Sequence, residues 1–179
     1  MDELTKIIIS SVFGFIGVMV GAFITRWMAK RDDATNLSLR LFDEWNSVSM
    51  IEIRHQVQEY RDFFDRNRAT SLDKTFRSTD PERRAQIWMI IRFYDKLYVM
   101  ILHNQVNKKL IPELFGDSFY WWFTNCFDAK LLPSGDRIEA IRIKSLMEWF
   151  EKNTPLEIQN RWKQRELVTT KKDLSDGLS

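Results

Sequence analysis

The residues best able to do chemistry in this chain are two arginine–histidine pairs. Arg54 and His55 are adjacent, and Arg92 precedes His103 by eleven positions. An imidazole can move a proton and a guanidinium can hold a phosphate, so the two together suit metal-independent cleavage of a phosphodiester. Spacing argues against both pairs. Adjacent residues on a helix point about 100° apart, and Arg92 and His103 share a face but stand about 16 Å apart along the axis. Neither pair can serve one phosphate within one subunit, so a dimer would have to assemble the site. The simpler expectation is that Arg54 is an ion-pair partner of nearby acids on a helix surface. His103 would then end a core helix with a hydrogen bond.

Other reactive constellations are missing. With two histidines and one cysteine, the sequence has no convergent ligand set for a metal. It also lacks a hydrolase elbow, a glycine-rich phosphate loop and a dinucleotide motif. No cofactor and no small-molecule substrate is indicated. Cys126, beside Phe127, reads as a small buried apolar residue. The 179 residues are 44% hydrophobic and 29% charged with a net charge of +2, and acids and bases are interleaved. That describes a globular body and lacks the concentrated basic face of a nucleic-acid binder.

The element that must position everything else is the stretch from Ile7 to Trp27. From Ile7 to Thr25 it carries neither charge nor proline. As an α-helix the uncharged run is about 29 Å long, close to the hydrocarbon thickness of a bilayer. A buried core helix would be amphipathic and usually shorter. A cleaved signal peptide would have a basic leader, whereas Asp2 and Glu3 here oppose Lys6. Residues 7–27 are therefore predicted to be a transmembrane helix. Arg26, Lys30 and Arg31 follow it and Trp27 is its interfacial aromatic, which places the N-terminus outside and the body in the cytoplasm, at the inner membrane. Ser10, Gly14, Gly17 and Gly21 fall in one broad stripe, with Gly17 and Gly21 at the spacing that lets two spans approach. A homo-oligomer in the lipid bilayer is the expectation.

Beyond the span the pattern is helical throughout. Residues 1–6 form a short flank, 28–166 a cytoplasmic domain and 167–179 a polar tail. The predicted fold is all-α, one span plus a bundle of five to six helices. Leu37, Leu41 and Trp45 mark a helix over 36–46, either separate from the span or continuous with it. After a break at 46–49, capped by Ser49 and Glu52, a second helix carries Met50, Ile53, Val57, Tyr60 and Phe64. Residues 67–79 read as a surface loop. Asp80-Pro81 starts a long central helix reaching about Lys108. Gly116 punctuates a turn-rich piece, and Asp117-Ser118 caps the aromatic run Phe119–Phe123, a core segment or an interface. Leu132–Asp136 is a turn, Ile138–Phe150 an amphipathic helix, and Thr154-Pro155-Leu156-Glu157 opens the last helix.

Several blocks resemble a family of small, singly anchored bacterial helical proteins of unassigned function. They are Leu41–Ser47 followed by Met50 and Arg54-His55, then Phe93–Leu97, Ile111–Gly116 and Tyr120–Trp122. The layout is also similar to the membrane accessory protein of type VI-B CRISPR systems, a span followed by a divergent helical body. That body is of the higher-eukaryote and prokaryote nucleotide-binding (HEPN) kind. HEPN nucleases carry Arg, four to six residues, then His, and this chain lacks that spacing. The resemblance implies an oligomer acting as a membrane pore in anti-phage defence, with an RNA-guided ribonuclease or an RNA trigger as partner. A membrane-tethered scaffold without a pore, and a nuclease formed across a dimer, are the alternatives.

Overall fold

The structure is a computed structural model that describes residues 3–67, 80–131 and 138–164, with side chains at 15–59, 80–127 and 138–164. Every element is helical. α1 (Glu3–Trp45) is followed by α2 (Val48–Asn67), α3 (Pro81–Leu102) and α4 (Ile111–Trp122). α4 runs on into a π-helical segment (Phe123–Leu131), and α5 (Ile138–Asn153) and a stretch over 156–164 complete the bundle.

α1 is one uninterrupted helix of 43 residues, about 65 Å long. No break separates the expected span from the expected 36–46 helix, so the continuous alternative is the one adopted. Its two ends live in different surroundings. Residues 15–33 are exposed, whereas Ser38, Leu41 and Trp45 are buried in the bundle. The junction is clamped. The Asn107 backbone N–H donates to Ser38 Oγ at 2.9 Å and to the Ala34 carbonyl at 3.2 Å. Asn107 Nδ2 donates to Thr35 Oγ1 at 3.0 Å. Among the described residues no helix is long and apolar enough to cross a membrane. The side chains of 7–14, part of the expected span, lie outside those residues.

α3 is the centre of the bundle, as its unbroken apolar pattern predicts. It buries Ile87, Ile90, Ile91, Phe93, Tyr94, Leu97 and Ile101, and packs against α5 and α2. Asp80 caps it, accepting from the Glu82 N–H, with Pro81 in the first turn. It ends at Leu102 rather than near Lys108 because Asn104 turns the chain with a φ of 53°. Asparagine tolerates this left-handed region better than most residues.

Three other expected boundaries differ. Ser47, not Ser49, meets the amide of Met50, at 3.4 Å, so the helix restarts two residues earlier than the Ser49–Glu52 spacing implies. Ile111–Trp122 is a single helix, with Gly116 buried inside it and Asp117-Ser118 in its middle. Thr154 does not cap the last helix through its hydroxyl. Its Oγ1 is buried without a partner, and the local contacts come from Gln159, whose amide donates to the Glu151 and Thr154 carbonyls. The expected loop at 67–79, the turn at 132–136 and the tail at 167–179 fall almost wholly outside the described residues.

The core is aromatic. Trp45 packs on Phe93 and Tyr94 at centroid distances of 4.7 and 4.9 Å. Tyr94 meets Phe119 edge-on at 4.8 Å, and Phe119 stacks on Phe150 at 5.1 Å. Such pairs contribute about 0.5–1.5 kcal/mol each beyond their buried area. Of the run 119–123, Phe119 and Trp122 are buried, and Tyr120, Trp121 and Phe123 are half-buried at the core's edge. Cys126 is fully buried, as its apolar neighbour suggests.

Candidate functional site

A cleft lies where the end of α1, the start of α2 and the middle of α4 meet. Arg54 stands at its centre. The guanidinium lies over the Trp45 ring, 4.4 Å from the centroid, and Nε is buried without a hydrogen-bond partner. Stacking on indole fixes the plane of the guanidinium and leaves its other edge available. Burial lowers the Arg54 pKa, and the nearby Tyr94 phenol opposes that effect. The expectation that Arg54 pairs with acids on a helix surface is not met. Among the described residues it is half-buried against tryptophan and sits in none of the ion pairs, unlike Lys96 with Glu44 at 2.7 Å and Arg142 with Asp95 at 3.2 Å.

Beneath the arginine is a polar hub. Trp45 Nε1 donates to Ser118 Oγ at 3.1 Å, and Ser118 Oγ lies 3.2 Å from the Tyr94 hydroxyl. Tyr94 is completely buried, which pushes its phenol pKa well above the usual tyrosine range, against smaller lowering by Ser118 and Arg54. The hub therefore stays neutral, and Arg54 is the positive charge among the described residues that line the cleft.

Two cavities open on either side of Arg54 and share Arg54, Ser118 and Trp121. One, of about 420 Å³, is lined also by Ile51, His55, Gln58 and Trp122. The other, of about 470 Å³, is lined also by Phe42, Trp45, Asn46, Glu113, Leu114, Asp117, Tyr120 and Trp162. Each falls in the size range of pockets that hold small molecules or side chains.

The four residues singled out for chemistry separate. Arg54 and His55 do border one cavity, although the helix turns them apart. His55 is exposed, and its Nδ1 faces Glu59 Oε1 at 3.4 Å, so its polar contact is to its own helix rather than to Arg54. Arg92 and His103 are exposed on α3 and line neither cavity. His103 does end the core helix, but through its backbone N–H, which bonds to the Val99 and Ile101 carbonyls. No three His, Cys or carboxylate groups gather to hold a metal among the described residues.

The residues of the expected span lie along the free part of α1. A Cβ added at Gly17 or Gly21 would meet nothing within 4 Å. Ser10 and Gly14 are on the same helix, with side-chain surroundings outside the described residues. Arg26, Trp27, Lys30 and Arg31 are all exposed, and the Arg31 guanidinium lies 5.9 Å from the Trp27 ring centroid. Sequence reasoning missed Trp45, Tyr94, Ser118 and Trp121 as partners of Arg54. Trp45 and Arg54 belong to different helices, and only the sharp break at Asn46-Ser47 brings them together.

The fold and the cleft define an all-α protein with a long apolar N-terminal helix and an arginine-centred groove. The chain belongs to the family described as a domain of unknown function (DUF4760), whose model matches residues 9–128, from within α1 through most of the π-helical segment. No curated protein and no solved structure matches it.

Proposed function

We propose that the chain is a single-pass membrane protein whose helical body is tethered at the cytoplasmic face as a non-enzymatic docking module. The observation that carries this reading is the free part of α1. Phe15, Ile16, Val18, Met19, Val20, Phe23, Ile24, Trp27 and Met28 are all about half exposed or more among the described residues. Soluble monomers rarely show so large a continuous apolar surface, and lipid is the surrounding in which a helix can keep it. Arg26, Lys30 and Arg31 beyond it favour a cytoplasmic body.

The docking reading is preferred to a pore. Among residues 15–25 the one polar side chain is Thr25, and its hydroxyl is bonded to the Gly21 carbonyl at 2.9 Å. Ser10 and Ser11 aside, that leaves little to line an aqueous path. The open faces at Gly17 and Gly21 favour a second reading, in which spans pack side by side and the chain works as an oligomeric effector in anti-phage defence. The nuclease reading has the least support, because its four residues separate. A reporter fused after Ser179 tests the proposal. It is expected to be active only as a cytoplasmic reporter, and alkaline phosphatase activity at that position would overturn the orientation.

A further inference from the structure

The cleft holds a cation that no described carboxylate neutralises. Arg54 is half-buried and stacked on Trp45, and no described carboxylate pairs with it. A guanidinium kept partly out of water costs free energy unless something supplies charge-assisted hydrogen bonds, and a carboxylate matches its planar fork. Among the described residues that partner is missing, yet the space for one is open on both sides of the arginine.

The two sides differ. On the α2 side no carboxylate is among the described residues that line the cavity, and the polar groups there include His55 and Gln58. On the α4 side Glu113 and Asp117 contribute negative charge, and the remaining wall is largely apolar. An acid is therefore best placed on the α2 side of Arg54. An attached apolar group fits the α4 side, against Leu114, Tyr120 and Trp162. Glu59, paired with His55 on α2, does not line the cavity and is largely exposed, where its repulsion is screened. The two cavities meet at Arg54, Ser118 and Trp121, so one extended ligand can occupy both.

The cleft also lies far from the expected bilayer. Arg31 and Trp45 are fourteen residues apart on one uninterrupted helix, about 21 Å, which puts Arg54 beyond the reach of a lipid headgroup. A soluble partner is the occupant that can reach it.

We propose that this two-sided cleft docks a short acidic peptide segment of a partner protein. An Asp or Glu side chain of that segment meets Arg54, and a neighbouring apolar side chain enters the Leu114–Trp162 side. This goes beyond membrane tethering and does not depend on it, because the cleft forms in the body alone. Backbone groups of the segment find hydrogen bonds at Asn46 and Gln58, on opposite sides of the arginine.

The test uses the full chain in detergent micelles on an array of tetrapeptides. Asp, Glu, Asn or Lys is fixed at the second position and the other positions are randomised. The Asp and Glu sets are expected to retain at least tenfold more protein than the Asn set, with the Lys set weakest. Arg54→Met should abolish that preference, whereas Arg54→Lys should keep part of it, and the melting temperature of each variant checks folding. Equal binding to the Asp and Asn sets would overturn the proposal, as would a preference that survives in Arg54→Met. Loss of the preference in millimolar inorganic phosphate at constant ionic strength would also overturn it, by marking a small-oxyanion site. None of these outcomes bears on whether α1 is inserted in a membrane.

Discussion

Gly116 offers the sharpest test of the packing. It lies buried within α4, where an added Cβ would overlap the edge of the Trp162 indole, 2.7 Å from Cη2 and closer still to Cζ2. Trp162 is itself buried, 5% exposed, and its ring meets Phe150 and Tyr120. Two opposing effects set the outcome of Gly116→Ala. In a helix interior alanine is better than glycine by about 1 kcal/mol. Against that, overpacking a filled site costs about 1–3 kcal/mol, here by forcing the indole out of its seat. The clash wins, so Gly116→Ala should destabilise the chain by up to about 2 kcal/mol, or up to about 8 °C in melting temperature for a chain of this size. Trp162→Ala alone should cost about 3–5 kcal/mol. In that background the clash is gone, and Gly116→Ala should become stabilising by up to about 1 kcal/mol. Denaturation of the four chains in detergent, followed by circular dichroism, reads the reversal of sign. If Gly116→Ala has the same effect with and without the Trp162 ring, the seating of the indole on α4 is wrong.

The remaining predictions concern the hub and the dismissed nuclease residues. Ser118→Ala leaves both Trp45 Nε1 and the Tyr94 hydroxyl without their partner and should cost about 1–3 kcal/mol, moderated by water from the adjoining cavities. With Tyr94→Phe added, the double variant should lose less than the sum of the singles, which a double-mutant cycle measures. Burial raises the Tyr94 pKa, so the folded chain keeps a proton that the unfolded chain releases above the ordinary value of 10.0. That contribution is present below pH 10 and lost above it, at about 1.4 kcal/mol per pH unit. Ultraviolet titration should show Tyr94 un-ionised until the chain unfolds. Arg92→Ala and His103→Ala, both on the surface, should change stability by less than about 0.5 kcal/mol. The purified chain should leave single-stranded RNA intact. Cleavage that disappears in His103→Ala without a change in melting would restore the nuclease reading.

The helices were legible where apolar residues recur at steps of three and four, as along α3 and α5, because burial of one face overrides local preference. Legibility failed where a residue type has two meanings. Glycine usually punctuates, but Gly116 is in a helix because only hydrogen fits beneath Trp162, a partner 46 residues away. Ser47 and Ser49 are both plausible caps, and the choice follows from how α2 packs. Asp117-Ser118 reads as a cap, yet Ser118 is spent on Trp45 and Tyr94. The chemical candidates were chosen by side-chain type, and that found Arg54 without its meaning. An arginine over a tryptophan across a chain break is a tertiary feature with no periodic trace.

The central claim is that the apolar part of α1 is embedded in lipid. Extraction of cell membranes with alkaline carbonate, followed by immunoblotting of the full chain, tests it most directly. The account predicts that the chain stays with the membrane pellet and is released only by detergent. It further predicts that placing aspartate at both Val18 and Phe23 moves the chain to the supernatant, since a charge at the centre of a span costs about 2.5–3.5 kcal/mol. A wild-type chain that leaves the membrane in carbonate would contradict the account.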